Sequence, residues 1–207
     1  KVTRATTAGK LPSVDWSRLL RPVLFTVIGG IIFYIPVSML SFKIDDLGTT
    51  NTGIIGAVSA MAAVATAVGA GTFHRILGRS PNILAPLAFG LMGAGLLGLG
   101  LAQNVPEAAV AAVVANLGGG FIIPTLQNWS VQSVEYDQRG RASGAFSSAL
   151  FVGQFIGPVV ILGAIGRSHL SWSMGIAGVV GVVMVAVAAI AATAGHLRSN
   201  EEVEAAA

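Results

Sequence analysis

The sequence predicts an all-α integral membrane protein whose six transmembrane helices form two triplets of opposite orientation. Three observations carry that expectation. The 207 residues are 54% hydrophobic and 10% charged, with a mean hydropathy of +0.78, whereas soluble domains hold about 25% charged residues. Six uncharged runs are each long enough to cross a bilayer, which takes ~20 apolar residues at about 1.5 Å rise. Finally, a residue pattern in the first half recurs in the second at a constant spacing of 88 residues.

Residues 1–21 are polar and basic, with Lys1, Arg4, Lys10, Arg18 and Arg21 against one acid, Asp15. They read as a cytoplasmic linker. Its last part, with Trp16, either lies in the headgroup layer or follows a disordered stretch and enters a helix capped by Ser13. The bundle is expected over 22–195, with spans at 22–42, 53–73, 83–102, 108–128, 143–165 and 172–194. The first triplet is 22–102 and the second 108–194; a cytoplasmic tail occupies 196–207. The short intervening loops predict consecutive helices that are antiparallel and adjacent. No Asp, Glu, Lys or Arg falls inside these six runs.

Charge placement sets the orientation. Ten Lys and Arg residues lie on the side of the two termini, and only Lys43 and Arg167 on the other. By the positive-inside rule both termini are cytoplasmic, as expected for a multi-pass protein of the cell (inner) membrane. A pI near 9.8 raises the question of nucleic acid, but the basic residues flank apolar runs as topological signals do. The absence of cysteine excludes disulfides and thiolate metal sites. His74, His169 and His196 lie at or beyond span ends without metal-ligand spacing, so no metal or cofactor is expected. The first apolar run is too long for a secretory signal core, and a start at Lys1 rather than Met points to sequence upstream.

At the 88-residue offset Gly30, Phe33, Ile35 and Pro36 fall on Gly118, Phe121, Ile123 and Pro124. Gly56-Ala57 and Ser59 fall on Gly144-Ala145 and Ser147, Gly69 on Gly157, Gly78-Arg79-Ser80 on Gly166-Arg167-Ser168, and Gly90 and Gly93 on Gly178 and Gly181. Three spans separate the copies, and an odd number reverses direction across the bilayer, which makes an inverted repeat.

The fourth span is the most polar uncharged stretch: Asn116, a glycine triplet, Pro124, Thr125, Gln127 and Asn128. Polar groups at membrane depth are costly unless they face protein or a wet cavity. Helical spacing puts Asn116, Gly120, Ile123 or Pro124, and Gln127 on one face, and Ser147, Phe151, Gln154 and Pro158 on one face of the fifth span. The first span offers Gly30, Tyr34, Val37 or Ser38, and Ser41, while the third and sixth are nearly all Gly, Ala, Leu, Val, Met and Ile. The expectation is that the first two helices of each triplet line a cavity and the third faces lipid. Asn116, Gln154 and Gln127 are the candidate substrate hydrogen-bonders, and Phe33, Tyr34 and Phe151 the candidate aromatic contacts. The alternative for each is packing against a neighbouring helix, with Trp129 an interfacial anchor. Pro36, Pro124 and Pro158 free backbone carbonyls and permit kinks.

From about residue 20 onward the chain resembles the C-terminal six-helix half of a major facilitator superfamily transporter. Three stretches carry the resemblance. Gly71-x-x-x-Arg75-x-x-Gly78-Arg79 is similar to a degenerate copy of the family's cytoplasmic loop, although Arg75 and Ile76 stand where the family has Asp and Arg. Arg139-Gly140-Arg141-Ala142-Ser143-Gly144 followed by Gly153-Gln154-Phe155-Ile156-Gly157-Pro158 is similar to drug- and sugar-efflux members. The basic stretch before the first span resembles the linker between halves. The resemblance implies a twelve-helix protein that alternates access to a midplane site, with an N-terminal half of the same transporter as partner beside the small-molecule substrate and the lipid bilayer. It makes Arg75, Gly78, Arg79, Arg139 and Arg141, with Asp137, candidates for gating contacts on the cytoplasmic side; the alternative is that these charges only set topology.

The implied function is secondary active transport of a small organic solute, by efflux, with proton coupling through the other half. A solute-uptake symporter of the same fold and a non-transporting six-helix membrane module are the alternatives. An intramembrane hydrolase would need a Ser/His pair or two aspartates within spans, and the sequence has neither; no enzymatic activity is expected.

Overall fold

The computed structural model describes the backbone of residues 14–76, 81–160 and 169–205, and their side chains except at 74–76, 81–82 and 191–205. Six helices follow one another among the described residues: α1 (Trp16–Asp46), α2 (Thr52–Ile76), α3 (Pro81–Leu101), α4 (Val105–Gln132), α5 (Arg139–Val160) and α6 (Leu170–Ala205), with a 3-10 turn at Tyr136–Gln138 before α5. All six are long and apolar enough to cross a membrane.

The helices outrun the uncharged cores because their ends carry their own caps. Helix α1 begins behind Asp15, not Ser13: the Asp15 carboxylate accepts the Ser17 backbone N–H at 3.0 Å and pairs with Arg18 at 3.3 Å. It ends in a Schellman motif, in which the Gly48 N–H bonds Asp45 O at 2.9 Å and the Thr49 N–H reaches Ile44 O at 3.4 Å. Gly48 sits at φ +86°, a region glycine enters without penalty. Helix α4 begins at a capping box: Asn104 Oδ1 accepts the Glu107 N–H at 3.0 Å, while Glu107 Oε2 accepts the Gln103 N–H at 2.9 Å.

The extension of α1 corrects one expectation. Lys43 belongs to α1, not to a loop, and it is buried at 3% exposure. Its Nζ donates to Ala102 O at 3.0 Å and to Ser171 Oγ at 2.7 Å, joining the end of α1 to the end of α3 and the start of α6. A lysine near an apolar run suggests a topological signal. Here the stem runs along the bundle and the head finds carbonyl and hydroxyl partners inside it.

Helix neighbours do not follow chain order. The main pairs are α1 with α5, α2 with α4, and α3 with both α4 and α6; among the described residues α2 does not touch α3, nor α5 touch α6. Adjacency of consecutive helices therefore holds for α3 with α4, is slight for α1 with α2 and α4 with α5, and fails for α2 with α3 and α5 with α6. Lipid tails are as apolar as leucine, so association is decided by where backbones can approach, which is where small residues sit. Gly30 of α1 lies on Leu150 and Gly153 of α5; Gly69 of α2 lies on Leu117 and Gly120 of α4. On α3, Gly95 and Gly98 face Ala115 and Ala111 of α4, while Gly93 and Gly100 face Gly181 and Gly175 of α6.

These contacts give directions as well. Residue numbers rise together along α1 with α5 and along α2 with α4, and run oppositely along α3 with α4 and α3 with α6. That is the pattern of six successive up-and-down helices. Exchanging α1 with α4 and α2 with α5 turns the first pair into the second, the pairing an inverted repeat produces. Between α3 and α6 the 88-residue offset holds to the residue: Gly178 against Leu97 is mirrored by Gly90 against Val185, and Gly93 meets its own counterpart Gly181. Along α1 and α4 the crossing slips. Gly118, the counterpart of Gly30, packs on Ala88 and Met92 of α3, and Gly120 makes the crossing instead.

The expectation that α3 faces lipid holds on one side only, where Ile83, Leu87 and Leu101 are exposed. Phe89, Met92, Leu96 and Leu99 are fully buried, and Phe89 stacks edge-on against Phe25 with ring centres 6.1 Å apart. Trp129 packs edge-on against the same Phe25 at 5.2 Å, so it joins the core. Hydropathy cannot separate lipid-facing from protein-facing leucine, because both surroundings are apolar.

Candidate functional site

Two hollows lie end to end along the face shared by α1, α2 and α4. One, of about 380 Å³, is lined by Phe33, Pro36, Val37, Leu40, Ser59, Ala62, Ala63, Thr66 and Asn116. The other, of about 370 Å³, is lined by Thr66, Ala70, Phe73, Gly119, Gly120, Ile123, Pro124 and Gln127. They meet at Thr66. No Asp, Glu, Lys, Arg or His lines either one.

The waist between them is built from small residues and one amide. Gly120 lets the α4 backbone close on Thr66 O and Gly69, where an added Cβ would meet the Thr66 carbonyl at 2.2 Å. Gly119 receives the Phe33 ring, 2.8 Å from where its Cβ would stand. With the helices this close, the Thr66 hydroxyl reaches Asn116 Oδ1 at 3.2 Å, sharing its one hydrogen with Ala62 O at 3.3 Å, and Asn116 Nδ2 donates to Ala112 O at 2.9 Å. Asn116 is 4% exposed. Its Nδ2 carries two hydrogens, and the second has no partner among the described residues. Pro124 has no N–H to give Gly120 O four residues back, so a carbonyl of the second hollow lacks its helical bond.

Of the six sequence-derived candidates, the hollows bring together Phe33, Asn116 and Gln127. Gln127 is exposed at the far end of the second hollow. The other three lie on α1 and α5, outside both hollows. Gln154 adjoins Gly153, is half-buried, and makes no side-chain hydrogen bond among the described residues. Tyr34 is half-buried four residues after Gly30, on the edge turned to α5. Phe151 stands out from α5 at 66% exposure and lines neither hollow. Pro36, Pro124 and Pro158 all lie inside continuous helices.

Thr66 escaped the sequence reading, being one hydroxyl in an alanine-rich run. The signal that finds it is the repeat: Thr66 is the counterpart of Gln154 at the 88-residue offset. Each triplet thus carries a polar side chain at the same point of its second helix.

At the terminal-side end, Gln138 Oε1 accepts the Asp15 backbone N–H at 3.2 Å, and Leu19, Val134 and Ala142 pack beneath it, fastening the α4–α5 turn to the start of α1. Arg139 lies over the Tyr136 ring at 5.3 Å from its centre. The Ser17 hydroxyl above all, helped by the backbone N–H groups of Ser17 and Arg18 and the Arg18 charge, holds the Asp15 carboxyl below its ordinary range against desolvation, which pushes it up. Gly78 and Arg79 lie outside the described residues, and Arg75 is placed by its backbone alone, in the last turn of α2.

Comparison with known proteins agrees with this architecture. The chain is 28% identical over 102 residues to a Bacillus subtilis (strain 168) protein named Multidrug resistance protein 3; the aligned stretch is 49% of this chain and 19% of that protein. The chain thus accounts for only part of its relative's length. The Major Facilitator Superfamily profile matches residues 23–206, from the first turns of α1 to the end of α6. With six apolar helices paired as an inverted repeat and a family match over nearly its whole length, the chain is a multi-pass membrane protein that belongs to the major facilitator superfamily, a family of transporters.

Proposed function

We propose that this chain forms one six-helix half of a secondary transporter that exports a small organic solute by alternating access. The solute passes along the α1–α2–α4 face, where Asn116 and Thr66 offer an amide and a hydroxyl at the waist and Phe33 an aromatic wall. The observation that carries this reading is the pair of hollows meeting at Thr66. They reach toward opposite ends of the parallel helices α2 and α4, as a path opened alternately at either end requires. Likeness to a multidrug resistance protein supports export.

No titratable side chain lines either hollow. Coupling to protons needs such a group within the membrane, so the reading places it in the other half. Both termini are cytoplasmic on the balance of basic residues, and the cell membrane is the proposed location.

Transport into vesicles containing the full-length protein, with parent, Asn116→Ala and Thr66→Val proteins at equal abundance, tests the reading. Loss of flux in both variants is expected. Undiminished flux in both would remove the waist from the pathway.

A further inference from the structure

We propose that the groove between α3 and α6, beside Lys43, holds an anionic phospholipid, with an acyl chain between the helices and its phosphate on Ser171. The groove encloses about 580 Å³, and Leu97, Leu101, Trp172, Ile176 and Val179 supply much of its wall. Ser171 is the hydroxyl in that otherwise apolar lining. An apolar groove alone would accept any lipid chain; what selects an anion stands one bond behind its wall.

Lys43 is nearly fully buried, and its Nζ gives one of three hydrogens to Ala102 O and one to Ser171 Oγ. Both acceptors are neutral. No carboxylate stands within 4.0 Å of the ammonium among the described residues, and Asp45 and Asp46 on the same helix end are exposed. Asp46 attracts the ammonium only from outside ion-pair reach, and a buried charge so weakly compensated is costly. Ser171 accepts from Lys43 and can turn its own hydroxyl hydrogen to an acceptor in the groove. A phosphate at the mouth of the groove takes that hydrogen and faces the third ammonium hydrogen, completing a charge-assisted chain. Trp172, 73% exposed on the rim, is the residue type that settles at headgroup depth. The volume, the hydroxyl and the buried cation lie together, and a phospholipid with negative headgroup charge matches all three.

The test is native mass spectrometry of the full-length protein, purified and exchanged into phosphatidylglycerol or phosphatidylcholine. Retention of phosphatidylglycerol over phosphatidylcholine by about fivefold is expected from one basic contact to an anionic headgroup. Ser171→Ala and Lys43→Met bring the two lipids to parity. Gly175→Leu fills the groove from a position where an added Cβ meets nothing within 4 Å, and it loses both lipids while the thermal midpoint holds. Should Lys43→Met fail to fold, Ser171→Ala and Gly175→Leu decide the matter. Equal retention of the two lipids by the parent protein, an unchanged preference in Ser171→Ala, or full retention in Gly175→Leu would each overturn the proposal.

Discussion

Thr66 and Asn116 join α2 to α4 through a 3.2 Å hydrogen bond at the point where two hollows meet. Bonds of this kind between membrane helices contribute ~0.6 kcal/mol on average, because the unfolded chain in the membrane also finds partners. Thr66→Val should therefore leave the thermal midpoint in detergent nearly unchanged while lowering solute flux severalfold. A large drop in midpoint with normal specific flux would assign the pair to packing alone.

Glycines at the crossings allow a sharper stability prediction. An alanine Cβ at Gly153 would meet Val27 O at 2.2 Å, a backbone atom that cannot move aside. Overpacking of this kind costs roughly 1–3 kcal/mol. Gly153→Ala should lower the thermal midpoint and membrane abundance, whereas Gly56→Ala, with nothing within 4 Å of the new atom, should leave both unchanged. Equal behaviour of the two variants would show that the α1–α5 crossing is looser than described.

Much of this architecture is legible in the sequence, and the parts that are not fail for stateable reasons. Six uncharged runs announce six helices because water-free surroundings exclude charge from their middles. They mislead about helix ends, since Trp16–Arg21 and Lys43–Asp46 remain helical on caps and buried partners rather than on hydropathy. The repeat is visible in Phe-x-Ile-Pro, and the structure returns it as the matched pairs α1 with α5 and α2 with α4. Adjacency is hidden because Phe89 and Met92 inside the bundle look the same as a leucine facing lipid. Within the site, Asn116 stands out as an amide in an apolar run, while Thr66 does not. Gln154 and Phe151 share a helical face with each other but not a hollow with Asn116, since spacing on α5 cannot say which neighbour that face meets.

Pro124 gives a prediction about motion. It leaves Gly120 O without a helical hydrogen bond beside the second hollow. Pro124→Ala restores the N–H and should raise the thermal midpoint, with a gain on the order of 1 kcal/mol for one recovered bond. If the unpaired carbonyl serves opening of the path, the same variant transports more slowly. A faster or unchanged flux would show that the proline has no part in it.

The cap of α1 titrates in a stated direction. The Asp15 carboxyl is held below its ordinary range, first by the Ser17 hydroxyl. A lowered folded-state pKa means the cap contributes fully above the unfolded value of about 3.9, and its contribution is lost as pH falls through the folded value. Hydrogen exchange at the Ser17 amide, corrected for intrinsic rates, should therefore lose protection as pH falls below about 4. Asp15→Asn should remove that pH dependence; its persistence in the variant would assign the protection to another group.

The central claim is a wet path along α1, α2 and α4 within a bundle otherwise surrounded by lipid. The chain has no cysteine, so single thiols can be placed at will in the full-length protein, provided any cysteines elsewhere in it are removed. The direct measurement is labelling by a charged, membrane-impermeant maleimide in sealed vesicles of either orientation. Ser59→Cys and Gln127→Cys should react, each from the opposite side of the membrane, while Val183→Cys and Val187→Cys on the exposed face of α6 stay unlabelled. Silence at both Ser59→Cys and Gln127→Cys, or equal labelling of all four positions, would contradict the account.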